Sequence, residues 1–92
     1  MPWAISRLKW DRRKAQANVQ NHGVSFDEAQ MVFLDENARL IGDPDHSAGE
    51  ERFLILGYSI RAHCLIVSHC YRGADSVNPI LVTYRHFHDI LF

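Results

Sequence analysis

"RFLILGYSIRAHCLIVSHCY" (residues 52–71) decides the fold. Two apolar runs, 52–59 and 63–71, flank a short turn around Ile60–Ala62. Their β-branched and aromatic content and their length predict two strands of an antiparallel hairpin. Alternation then assigns faces. Arg52, Leu54, Leu56 and Tyr58 oppose Phe53, Ile55 and Gly57. His63, Leu65, Val67, His69 and Tyr71 oppose Cys64, Ile66, Ser68 and Cys70. Both faces are apolar in the middle and polar at the ends, so a functional site is expected at the strand ends.

Downstream, "RGAD" (72–75) reads as a turn and "ILVTY" (80–84) as a further strand. Upstream, "ARLI" (38–41) is a short strand, followed by the turn-rich loop "GDPDHSAGEE" (42–51). Before it the pattern becomes helical. Asp11 is a good N-cap for a helix over 12–22, and Gly23 supplies the left-handed position that ends it. Ser25 and Glu28 have the spacing of a capping box, with Val24 and Ala29 as its hydrophobic staple. A second helix is predicted over 26–34, with Phe26, Ala29, Val32 and Phe33 on its apolar side. The fold class is therefore α+β: two N-terminal helices packed on an antiparallel sheet of about four strands.

At 92 residues the chain reads as a single domain, 1–92, with one modest core. A net charge of −1 with histidine neutral excludes a basic nucleic-acid coat, so any activity on RNA or DNA needs local clusters of Arg and Lys. No apolar run approaches 18 residues and the N-terminus lacks a signal-peptide core, so a cytoplasmic protein with no membrane partner is expected. Cys64 and Cys70 lie about 20 Å apart along one strand, far beyond disulfide reach. No cofactor motif and no zinc spacing appears. His86 and His88, two apart, are the nearest approach to a metal pair, and no metal is expected.

Three constellations carry chemistry. Trp10, Lys14, Asn18 and His22 recur every four residues along one side of the first helix. They read either as a solvated face or as an RNA-contacting stripe of a stacking ring, a cation and two hydrogen-bonding groups. Glu50, Glu51 and Arg52 enter a strand from a loop, as an ion pair or as a base held beside a phosphate-binding cation. Arg61 sits in the tight turn near His63 and Tyr58. RNA cleavage without metal needs a base, an acid and cations for the phosphorane, and Glu51, a histidine and Arg61 supply those types.

"WDRRKAQANVQNHGVSFDEA" (10–29), "DPDHSAGEERFLILGYS" (43–59) and "LIVSHCYR" (65–72) resemble, in order and spacing, the BrnT family of bacterial type II toxin–antitoxin systems over about residues 9–77. The resemblance implies a RelE-like fold and a ribonuclease that inhibits translation. It implies neutralisation by a BrnA-type antitoxin with a DNA-binding part. A homodimer or a toxin–antitoxin hetero-oligomer is expected. The matched positions are Trp10, Lys14, Asn18, His22, Glu50, Glu51, Arg52, Arg61 and His69. Glu51 and Arg61 are expected at the catalytic centre, with His22 and His69 supporting. Trp10, Lys14, Asn18, Arg52 and Arg72 are expected to bind RNA.

After residue 77 the chain departs from the resemblance. A strand ending in Ser-Ala-Arg, its arginine facing the site, is expected there, followed by a basic helix. The chain instead reads "NPILVTYRHFHDILF" (78–92), with Arg85 several residues out of place. The alternative function is thus a catalytically weak or inactive homologue that only binds antitoxin or RNA.

Overall fold

A computed structural model describes residues 2–42, 51–73 and 75–84. Its elements are α1 (Pro2–Ile5), α2 (Arg12–His22), α3 (Phe26–Ala29), a 3-10 turn (Gln30–Leu34), β1 (Arg39–Gly42), β2 (Phe53–Tyr58), β3 (Cys64–Arg72) and β4 (Ser76–Tyr84). The four strands form one antiparallel meander in the order β1-β2-β3-β4.

The predicted caps define α2. Asp11 Oδ1 accepts a hydrogen bond from the Arg13 amide at 2.9 Å, and Gly23, at φ 75°, donates its amide to the Val19 carbonyl. Ser25 Oγ accepts from the Glu28 amide at 3.0 Å. The expected helix over 26–34 is not uniform: it tightens at Gln30 into a 3-10 turn, which ends where Asp35 donates its amide to the Val32 carbonyl at 3.1 Å. Tightening lets both Val32 and Phe33 point into the core, where each is fully buried.

The core lies between the helical layer and one sheet face. Val24, Phe26, Ala29, Val32 and Phe33 meet Ile55, Leu65, Val67, Val77 and Val82. Gly57 is where the layers come closest. A Cβ there would stand 2.9 Å from Asp35 Oδ2 and 3.0 Å from both Ala38 Cβ and Val32 Cγ1. Ile41, Leu54, Leu56, Ile66 and Leu81 fall on the opposite sheet face by register, with Ile41 and Leu81 exposed.

β4 begins at Ser76, four residues before the predicted strand, because the register slips between Ser68 and His69. His69 pairs with Pro79 and Ser68 with Leu81, so Ile80 is the extra residue of a bulge. The bulge admits a proline, which has no amide to donate to a ladder. The outer edge of β4 is covered. The Val77 amide donates to the Arg7 carbonyl at 2.8 Å, and the Lys9 amide donates to the Val77 carbonyl at 2.9 Å. Further along, Asn18 of α2 bonds both backbone groups of Val82.

This contact corrects the expectation for the α2 stripe. Asn18 is buried at 4% exposure while Val19 is exposed. The line Trp10–Asn18–His22 faces the protein, because the small Ala15 and the polar Asn18 let the helix approach β4 closely. Only Lys14 of the four is exposed.

Candidate functional site

The polar strand ends form two separate clusters. The first surrounds the β2–β3 turn. The Ser59 amide donates to the His63 carbonyl at 2.9 Å and the Ala62 amide to the Ser59 carbonyl at 3.0 Å, closing a three-residue loop. Ala62 takes the left-handed conformation, φ 61°, that such loops demand of their last residue. Glu28 of α3 reaches this loop. Its Oε2 accepts from Ser59 Oγ at 2.6 Å and from His63 Nδ1 at 2.7 Å. Ser59 Oγ in turn accepts from the Arg61 amide at 3.2 Å.

The Glu28 side chain is 8% exposed and that of His63 39%. Burial alone raises the Glu28 carboxyl pKa. The hydrogen bonds from Ser59 and His63, with the charges of His63 and Arg61, outweigh burial and hold it below the usual carboxylate value. The Tyr84 ring meets the His63 ring edge-on at 5.2 Å, and Tyr84 Oη donates to the Gly23 carbonyl at 3.2 Å, next to His22.

The second cluster lies at the other end of the sheet. Lys14 of α2, Arg52 before β2 and Arg72 at the end of β3 line one cavity of about 140 Å³ with Cys70, Asn78, Pro79 and Ile80. None of these lining residues is a carboxylate. Arg52 Nε is buried and has no hydrogen-bond partner among the described residues. A buried donor left unpaired is unfavourable.

The structure therefore sorts the expected site residues. Lys14, Arg52 and Arg72 come together. Glu51, exposed, adjoins Arg52, but the catalytic pairing of Glu51 with Arg61 is corrected. Arg61 lies in the turn beyond Tyr58, so roughly 20 Å of extended strand separates the two. His69 is corrected too: it is fully buried, between Phe33 and Phe53 with ring centroids at 5.1 and 6.3 Å. Its Nδ1 donates to the Val67 carbonyl at 3.0 Å and its Nε2 accepts from Tyr71 Oη at 3.2 Å. Burial lowers its pKa, so it is a neutral core histidine.

Asn18 is spent on backbone contacts. Trp10 is half-buried, edge-on to Phe26 at 5.8 Å, so its ring serves packing. His22 ends α2, half-buried. Glu50, Arg85, His86 and His88 lie outside the described residues. Among the described residues no three His, Cys, Asp or Glu side chains are grouped to hold a metal. No described helix is long and apolar enough to cross a membrane.

The Glu28–Ser59–His63 triplet escaped sequence reading. Ser25 and Glu28 were accounted for as a capping box, and only the cap half of it forms. The Glu28 carboxylate turns to the hairpin, and the one available signal was its position a single turn into a helix that starts beside a strand end.

A small α+β domain with a three-cation cavity at one sheet end is a class suited to a polyanionic ligand. Residues 10–87 match the family model of the ribonuclease toxin BrnT of type II toxin–antitoxin systems. The chain belongs to the BrnT toxin family. The match runs past residue 77, where the motif resemblance stops, and takes in β4. The fold is similar to the crystal structure of the Brucella abortus ribonuclease toxin BrnT, at a TM-score of 0.66 and 17% identity, covering 86% of this chain and 95% of that one. No curated protein matches the sequence.

Proposed function

We propose that this protein is an endoribonuclease toxin with a RelE-like fold, which cleaves RNA without a metal, inhibits translation in the cytoplasm of a bacterium and is neutralised by a BrnA-type, DNA-binding antitoxin. One observation carries the assignment of the ligand. Three cations from three separate stretches of chain, Lys14 of α2, Arg52 before β2 and Arg72 of β3, line one cavity with no carboxylate among its described lining residues. RNA offers a phosphate every few ångströms, and cations fixed on rigid elements hold its backbone without reading sequence. Glu51 adjoins Arg52 in the chain and stands the length of β2 from Arg61.

Incubating the purified chain with bacterial RNA in excess chelator tests the proposal. Cleavage in chelator, lost or weakened in Lys14→Ala/Arg52→Ala, supports it. An intact RNA population at every protein concentration removes the enzymatic reading. The missing Ser-Ala-Arg arginine favours one second reading, a homologue that binds antitoxin or RNA without cleaving. Retained binding with no cleavage identifies that case.

A further inference from the structure

The cation cavity supplies positive charge but no preorganised acid or base: its lining holds no carboxylate, and Glu51 is exposed, with no hydrogen bond to it among the described residues. The hairpin tip has what the cavity lacks. We infer that His63, oriented by Glu28 and flanked by Arg61, is the general base that activates the ribose 2′-hydroxyl of a bound RNA strand. This rests on the ribonuclease reading above and adds the catalytic residue to it.

The geometry supports each part. The His63 Nδ1–H donates to a buried carboxylate at 2.7 Å, which fixes the tautomer and leaves Nε2 as the basic nitrogen. Among the described residues no other hydrogen bond reaches the imidazole, and about 39% of the side chain is exposed. Ser59 Oγ holds the same carboxylate oxygen at 2.6 Å, so the orienting group is itself fixed. Arg61 precedes Ala62, whose left-handed backbone sets the direction in which the loop leaves the turn. The charged and titratable groups facing His63 are Glu28 from α3, Arg61 from the loop and Tyr84 from β4. His22 ends α2 beside Gly23, to whose carbonyl Tyr84 is bonded.

The step balances without a co-reactant beyond water. Nε2 of neutral His63 takes the 2′-hydroxyl proton as the 2′-oxygen attacks phosphorus. The phosphorus–O5′ bond breaks, giving a 2′,3′-cyclic phosphate. A water protonates the departing 5′-oxygen, and His63 returns its proton to the hydroxide left behind. Arg61 stabilises the charge that develops on the phosphorane oxygens. A strand held in the Lys14–Arg52–Arg72 cavity reaches the tip over roughly 26 Å, the length of β3. Several nucleotides span that distance, and single-strand binding sites of about 4–16 nucleotides are ordinary.

The test uses the purified full chain on total bacterial RNA in chelator, reading 2′,3′-cyclic phosphate ends, with folding followed by circular dichroism. His63→Ala is expected to lower the cleavage rate by roughly 10²–10⁴-fold at unchanged RNA affinity. His63→Gly is expected to recover cleavage when free imidazole is added, a rescue that a merely structural histidine does not show. Glu28→Gln is expected to lower the cleavage rate at unchanged RNA affinity, because the imidazole loses the carboxylate that orients it. Folded His63→Ala cleaving at the wild-type rate overturns the inference while leaving the ribonuclease reading intact. So does loss of cleavage in Glu51→Gln with no loss in His63→Ala. Wild-type chain that cleaves RNA without cyclic ends overturns the inference alone, and wild-type chain that leaves the RNA intact overturns both.

Discussion

The side-chain amide of Asn18 bonds Val82 as a neighbouring strand would: its Nδ2 donates to the Val82 carbonyl at 2.9 Å and its Oδ1 accepts from the Val82 amide at 3.0 Å. Val82 faces Val67 in the β3–β4 ladder at a position where its backbone groups point outward. Asn18 also donates to the Val24 carbonyl at 3.0 Å, so one residue joins α2, the turn after it and the sheet.

Replacing Asn18 with Ala leaves the amide and carbonyl of Val82 and the carbonyl of Val24 without these partners. An unsatisfied buried group costs about 1–3 kcal/mol, and the site is buried. A loss of about 2–4 kcal/mol is expected, which for a chain of this size lowers Tm by roughly 10–25 °C. Thermal unfolding followed by circular dichroism checks it. A Tm within 3 °C of wild type, roughly the effect of half a kcal/mol, contradicts the clamp.

Gly57→Ala places a methyl within 3.0 Å of Ala38 Cβ and Val32 Cγ1 and at 2.9 Å from Asp35 Oδ2. Val32 belongs to the 3-10 turn and Asp35 and Ala38 to its connection to β1, a packed stretch with little freedom to yield. Overpacking of this kind costs about 1–3 kcal/mol. Urea unfolding should show a lowered midpoint at unchanged slope.

Stability should fall in acid through two carboxylates. Asp35 is held below its usual pKa by the amides of Tyr58, at 2.8 Å, and Asn37, at 2.9 Å. Glu28 is lowered as described above. Each has a folded pKa below its unfolded one, so its stabilisation is present above the ordinary carboxylate range and is lost as pH falls through the folded value. Asp35→Asn and Glu28→Gln should each be less stable than wild type at neutral pH and less sensitive to acid. Unfolding free energies measured across pH 3–7 test this, and parallel curves for wild type and both variants would contradict it.

The cavity cations should set the salt dependence of RNA binding. For single strands the logarithmic salt slope changes by about 0.7 per phosphate contact removed. Lys14→Ala/Arg52→Ala should therefore flatten the slope by roughly 1.4, which binding isotherms over a salt series measure. His69→Leu, by contrast, should leave the slope and the cleavage rate unchanged and act only on stability, because His69 is enclosed by Phe33, Phe53 and Tyr71.

Local signals in the sequence carried much of this fold. The caps at Asp11, Gly23 and Ser25 act through residues no more than four apart, and the hairpin follows from alternation around Ile60–Ala62. What the sequence did not expose depends on partners far away. The role of Asn18 is fixed by Val82, 64 residues on, and no periodicity distinguishes a buried asparagine from an exposed one. β4 reaches back to Ser76, ahead of the apolar run at 80–84, and the bulge at Ile80 accompanies Pro79 there. The site divided in the same way. Lys14, Arg52 and Arg72 were identified individually and the fold brought them together. The resemblance puts Glu51 and Arg61 at one catalytic centre, whereas the length of β2 stands between them.

The covering of β4 fixes where this sheet can grow. Residues 7–9 and Asn18 occupy the hydrogen-bonding groups of Val77 and Val82 on that side. At the opposite side β1 is exposed along its whole length, from Arg39 to Gly42. The sheet is thus monovalent among the described residues: a strand arriving from another chain finds its backbone complement at β1, and β4 offers it none at Val77 or Val82.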